Sequence, residues 1–323
     1  MTEFESFAEA YSATLQRLLQ LGRRVAGATS PQSVGSGFGR ASRPIIELQG
    51  ESFRIHNPRR RWLDVSPRAP DLTFAVANFI FTLAGGHEPA MITSYNARGR
   101  QFMEDESRYE SSFGARLFSP GHQLVYAKKK LLADRFSRRA MAIIYNPEDS
   151  LVDRRDTPCA LGLQFLIRGE QLDCVCIMRA QSALMVLPYD VYLFTLIQEW
   201  LAVELGLAPG VFTHVSGSLH LYEDERERAE QVVSSVNSSS EMRRMQLSGP
   251  QVALEFIDYE RRARLLRSPE DTEAVKPVLD DYWLDLVRPL HAAWTTLYPA
   301  QPLGNTRPIA SLAETGATSG PTK

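Results

Sequence analysis

The sequence predicts a single α+β domain, a mixed β-sheet with helices packed against it, and three observations carry that prediction. Residues 140–145, 161–167 and 172–178 are short apolar runs of strand length, the last two joined by Arg168-Gly169-Glu170-Gln171 as a hairpin. Longer runs with helical spacing, at residues 4–24, 72–83 and 189–205, stand apart from these strands. A 44% apolar share of 323 residues is enough for one large core.

In chain order, residues 4–24 place Phe7, Tyr11, Leu15, Leu18 and Leu19 at helical spacing and end at Gly22. Residues 28–44 are rich in Ser, Gly and Pro and read as a mobile loop. Within it, Gly35-Ser36-Gly37-Phe38-Gly39 neither follows a clear strand nor opens a helix, so it makes a poor dinucleotide loop. Residues 45–55 read as a strand running into Asn57-Pro58-Arg59. The helix at 72–83 stops at Gly85-Gly86, and the amphipathic helix at 189–205 stops at Gly206. Residues 212–215 and 252–257 read as further strands. The domain is expected over 1–300, with 301–323, rich in Gly, Pro, Ser, Thr and Ala, as a flexible tail.

A formal net charge of -2 gives no global basic field for nucleic-acid backbones. Arg59-Arg60-Arg61, Lys128-Lys129-Lys130 and Arg138-Arg139 are short clusters with acidic neighbours. No apolar run is long enough to cross a bilayer, and the N-terminus is acidic. Three cysteines, two of them on alternate residues of one strand, make no disulfide framework, and no spacing suggests a metal site. These features together suggest a reduced, cytoplasmic protein.

Four segments carry the chemistry: Ser137-Arg138-Arg139; Thr157-Pro158-Cys159; Arg179 through Leu187-Pro188-Tyr189-Asp190-Val191; and Gly217-Ser218-Leu219-His220-Leu221-Tyr222. Singly, a cysteine after proline is more often packing, an Arg pair surface charge and His-x-Tyr a strand face. In this order, with nine positions from Arg179 to Pro188, they resemble thymidylate synthase and its hydroxymethylase relatives over roughly residues 45–225. Upstream, Glu51-Ser52-Phe53, Asn57-Pro58-Arg59 and Ser94-Tyr95-Asn96 with Arg98 are also similar to the bacterial and phage branch.

The resemblance implies one thymidylate-synthase-like domain whose sheet face forms a homodimer interface. It casts Cys159 as the nucleophile that adds to C6 of a pyrimidine, making C5 nucleophilic towards a one-carbon unit; a thiolate does this best near cations. Arg179 would lie beside the cysteine and hold the 5'-phosphate, joined by Arg138 and Arg139 from the other subunit. Planar, permanently charged guanidinium groups suit that contact. Arg40, with Arg43 second, would supply a loop arginine, and His220 and Tyr222 would hold the ribose hydroxyl. Ala180, Gln181 and Ser182 occupy the phosphate and pterin side. The implied cofactor is 5,10-methylenetetrahydrofolate.

Asp190 stands where uracil-specific members carry Asn. Cytosine presents an acceptor at N3 and an amino donor at C4, a code that a protonated Asp matches. Alone, Asp190 also suits a helix N-cap. Other positions depart from the family: Asn78 replaces the catalytic glutamate, Phe113 a tyrosine, and Ala160 a histidine, while Ala180-Gln181-Ser182 replaces Ser-x-Asp. Asn78 can orient a water but cannot take a proton. Ala180 resembles antibiotic-pathway relatives that accept ribonucleotides. The expected activity is therefore C5-hydroxymethylation of CMP or dCMP. The alternatives are a folate-independent C5-modifying enzyme using the same adduct, a uracil-nucleotide methylase, or a catalytically dead nucleotide-binding dimer.

Overall fold

A computed structural model describes residues 1–28, 43–64, 66–86, 88–103, 109, 111–118, 123–152, 157–265 and 281–297. The architecture is α+β, as the residue pattern predicts. Seven strands, β1 (Thr2–Phe4), β2 (Arg23–Ala28), β3 (Arg43–Ile55), β4 (Met141–Ile143), β5 (Ala160–Arg168), β6 (Gln171–Ser182) and β7 (Ala208–Tyr222), form one mixed sheet. Its order is β1-β3-β7-β6-β5-β4, with β2 sharing the outer edge of β3. The β6–β7 and β1–β3 pairs are parallel and the others antiparallel.

The predicted hairpin is present: Arg168 pairs with Gln171, and Gly169 takes φ 57°, a left-handed conformation that costs glycine little. The strands run longer than their apolar runs. β6 continues past Met178 to Ser182, and the run at 212–215 is the middle of a 15-residue strand. Cross-strand pairing carries polar residues into the ladder that local hydrophobicity leaves out. The run at 140–145 shortens to β4, Met141–Ile143.

Among the described residues the α-helices are α1 (Phe7–Leu21), α2 (Leu72–Leu83), α3 (Pro89–Tyr95), α4 (Phe113–Leu117), α5 (Gln123–Ala133), α6 (Leu187–Glu204), α7 (Arg226–Ser234), α8 (Pro250–Leu265) and α9 (Asp281–Leu297). Two expectations are corrected. Residues 252–257 belong to α8, because Val252, Phe256 and Tyr259 recur at helical spacing and turn one face to the core. The helix at 189–205 is not amphipathic: α6 is buried from Leu187 through Ala202 except at Tyr189. It lies between the sheet and the helices around α2. The expected tail, 301–323, lies outside the described residues.

Aromatic rings join the helical layer. Trp283 of α9 stacks on Phe79 of α2 at 6.3 Å and approaches Phe256 of α8 at 4.8 Å and Trp200 of α6 at 5.6 Å. Beside α6 a fully buried ion pair links Arg61 to Glu199, whose second oxygen accepts from the Met245 amide at 3.0 Å. Such a pair adds little net stability when intact but is costly to break.

Candidate functional site

Cys159 stands directly before β5, and the β5–β6 pairing holds it in place. Its carbonyl accepts from the Arg179 amide at 2.8 Å. The Arg179 side chain fastens the same segment, Nε donating to the Pro158 carbonyl at 2.8 Å and Nη2 to the Thr157 carbonyl at 2.9 Å. A side chain at position 217 would obstruct this region, since a Cβ on Gly217 would stand 2.9 Å from the Arg179 carbonyl oxygen. Cys159 is half-buried, whereas Cys174 and Cys176 are fully buried on β6 and burial pushes both thiols up. Of the three cysteines only Cys159 combines partial exposure with a guanidinium fastened to its own segment.

From Arg179 a polar stripe crosses three strands. Ala180 pairs with Ser218, Ser182 with His220, Glu47 with His220, and Ile45 with Tyr222. Cross-strand partners share a face, so Ser182, Ser218, His220, Glu47 and Tyr222 sit together. Ser218 donates to Glu47 at 2.5 Å. Burial lowers the pKa of His220, favouring the neutral imidazole, and raises that of the Tyr222 phenol, which Arg43 opposes and Cys159 reinforces. The Cys159 thiol is therefore within electrostatic reach of Tyr222. The Ser182 Oγ and Gln181 Oε1 atoms are buried and have no hydrogen-bond partner, while the His220 ring meets the Ser218 backbone. Buried orphans are rare in folded proteins; Ser182 lies on the His220 face of the strand and Gln181 on the opposite face, against Asp190.

Asp190 sits in the first turn of α6, but it does not cap the helix. Val186 is the N-cap, with no side-chain cap bond, and the Asp190 carboxyl turns instead to Gln181, whose Nε2 donates to Oδ2 at 2.9 Å. The carboxyl is 6% exposed, and burial pushes its pKa to about 7 against the opposing hydrogen bond from Gln181. It is thus available as an acid near neutral pH.

Other predicted residues lie further out. Asn78 is half-buried on α2, and its side-chain amide makes no hydrogen bond with a described residue. Phe113 opens α4 and stacks on Phe194 at 5.4 Å. Arg138 and Arg139 are exposed between α5 and β4, and neither guanidinium has a partner among the described residues. Arg40 lies outside the described residues. Arg43 has a setting that motif spacing does not reveal: its guanidinium lies 3.8 Å over the Tyr222 ring and 2.6 Å from Asp224. Glu47 was missed altogether. The alternation of β3 against a His-x-Tyr strand is the signal that points to it. Among the described residues no cluster could hold a metal, and no helix is long and apolar enough to cross a membrane.

A family model described as thymidylate synthase matches residues 95–262. Among similar proteins, the deoxyuridylate hydroxymethyltransferase of Bacillus phage SP01 is 29% identical over 196 residues, covering 56% of this chain and 51% of that protein. The thymidylate synthase of Listeria monocytogenes serovar 1/2a is 25% identical over 147 residues, 46% of this chain and 45% of that protein. The chain thus spans about half the length of each of these relatives.

Proposed function

Because the chain belongs to the thymidylate synthase family, we propose that it transfers a one-carbon unit to C5 of a cytosine nucleotide, CMP or dCMP, leaving a hydroxymethyl group. The observation that carries this reading is a half-buried Cys159, fastened through Arg179, at the head of a stripe of orphaned polar atoms. In the proposed chemistry the Cys159 thiolate forms a bond to C6, and the C5–C6 π electrons make C5 a nucleophile. With the one-carbon unit attached, its bond to the carrier nitrogen would break as the C5 proton is lost, releasing tetrahydrofolate; water would then add to the exocyclic methylene as the C6–sulfur bond breaks and returns the thiolate.

Arg179 has a double task in this reading: it fixes the Thr157–Pro158 segment and presents its remaining N–H groups to the 5'-phosphate. His220 and Tyr222 take the ribose, and Asp190 donates to N3 of the base. Ala180, with no hydroxyl, leaves room beside Ser218 for a ribose 2'-OH. Asn78 orients a water. The implied 5,10-methylenetetrahydrofolate supplies carbon at the formaldehyde level. The orphaned Ser182 hydroxyl fits one polar contact to it, where the family acid is missing.

A homodimer with shared sites is part of the proposal. Val175, Ile177 and Val215 are half-buried on the sheet face opposite Cys176 and His214, an apolar strip suited to a second copy. Arg138 and Arg139, whose guanidinium groups have no partner among the described residues, would reach the partner's phosphate site.

The phage relative is named for deoxyuridylate, which makes hydroxymethylation of a uracil nucleotide the second reading. Mass spectrometry of CMP, dCMP, UMP and dUMP after incubation with and without methylenetetrahydrofolate tests both. Gain of CH2O on a cytosine nucleotide supports the proposal, and gain on uracil alone supports the second reading. Binding without turnover under every condition would leave a nucleotide-binding dimer.

A further inference from the structure

We propose that Gln181 is a base-reading residue: its Nε2 holds the Asp190 carboxyl while its Oε1 accepts a hydrogen bond from the 4-amino group of a cytosine nucleotide. The inference rests on the cytosine reading above and adds a second determinant to it. Gln181 is 1% exposed, and its two amide atoms have opposite fates. Nε2 donates to Asp190 Oδ2 at 2.9 Å, and Oε1 is buried with no partner. A buried amide oxygen left unpaired costs roughly 5- to 150-fold in equilibrium terms, so a ligand group that pairs with it gains accordingly.

Position points the same way. Gln181 lies two residues beyond Arg179 on β6, about 6–7 Å along the strand from the segment that carries Cys159. Its register partner is the buried Leu219, so its side chain turns to the sheet face opposite Ser182 and His220, where it meets Asp190. The Asp190 carboxyl makes no side-chain hydrogen bond with a described residue other than Gln181, so Oδ1 remains for a ligand. With Oδ2 already accepting, the proton of a neutral Asp190 belongs on Oδ1. Oδ1–H and Gln181 Oε1, which do not bond each other, then offer one donor and one acceptor. That pair complements N3 and the 4-amino group of cytosine. Uracil, with N3–H and O4, opposes both in this orientation.

The test is calorimetric titration of the full chain with CMP and with its 4-deamino analogue, pyrimidin-2-one ribonucleoside 5'-monophosphate. The analogue keeps N3 and lacks only the amino group. Wild type should prefer CMP by about 10-fold. Gln181→Met should bind both alike, with the analogue's affinity within about 3-fold of wild type. Gln181→Leu, which likewise removes the acceptor oxygen, should also bind both alike, and it stands in if the Met variant does not fold. A packing role would weaken both nucleotides equally, which overturns the proposal, as does a wild type that does not distinguish them or a preference that survives in Gln181→Met. If wild type instead binds UMP more tightly than CMP, the cytosine reading itself fails, a result separate from the behaviour of the variants.

Discussion

Replacing Asp190 by Asn removes one titrating proton and little else. Asn has the same shape and can accept the same hydrogen bond from Gln181 Nε2, which now reaches Asp190 Oδ2 at 2.9 Å. Burial raises the Asp190 pKa from 3.8 to about 7 in the folded chain. Between those values the folded state binds a proton that the unfolded state has released, so stability falls as pH rises. The contribution of the neutral carboxyl is complete below about pH 4 and lost as pH passes 7. At 1.36 kcal/mol per pH unit, the span corresponds to at most about 4 kcal/mol. Asp190→Asn should therefore gain stability over wild type across this range, with the two curves diverging from pH 4 and running parallel above about pH 8. Urea denaturation at fixed protein concentration measures this directly, provided the m-values agree. The difference between the two proteins cancels groups they share, such as His214, whose pKa burial lowers to about 3. The same proton should govern the nucleotide: CMP affinity of wild type should weaken above pH 7, and that of the variant should stay flat to pH 8. Wild-type and variant stability curves that run parallel from pH 4 to 8 would refute a buried, proton-holding Asp190.

Three further outcomes are expected. Cys159→Ser should abolish turnover in the mass-spectrometric assay, whereas Cys174→Ser should retain activity per folded molecule and lose stability through its burial. Mixing Cys159→Ala with Arg139→Ala chains should restore part of the activity through one intact hybrid site; verified heterodimers that stay inactive would exclude shared sites. Glu199→Ala should destabilise the fold by about 3–5 kcal/mol in urea denaturation, because it strands the buried Arg61 guanidinium. A loss below about 1 kcal/mol would show that water reaches Arg61.

Periodicity and motif order made much of this protein legible. The alternation of 161–167 and 172–178 with Gly169 between them dictates a hairpin whatever surrounds it, and Asp71 followed by an apolar run dictates the start of α2, where its carboxylate accepts from the Phe74 amide at 3.1 Å. The order of Arg138-Arg139, Cys159, Arg179, Asp190 and His220-x-Tyr222 identifies the family without any geometry. What periodicity left undecided was how long a strand extends once it has partners, and on how many sides a helix is covered. Residues 252–257 are apolar enough for either a strand or a helix, and only packing of Phe256 against Phe79 and Trp283 distinguishes them.

The sequence by itself determined the family and the types of side chain present, and it singles out Cys159 as the proposed nucleophile. Those follow from residue identity and spacing, which survive without coordinates. Only the tertiary structure decided which atoms are already occupied. Arg179 spends two donors on the Thr157–Pro158 carbonyls, and Arg43 stacks on Tyr222. Asp190, equally suited by sequence to a helix cap, turns to Gln181 and holds its proton to about pH 7. These depend on cross-strand register and on burial, and both arise from contacts between residues far apart in the chain, which no local pattern encodes.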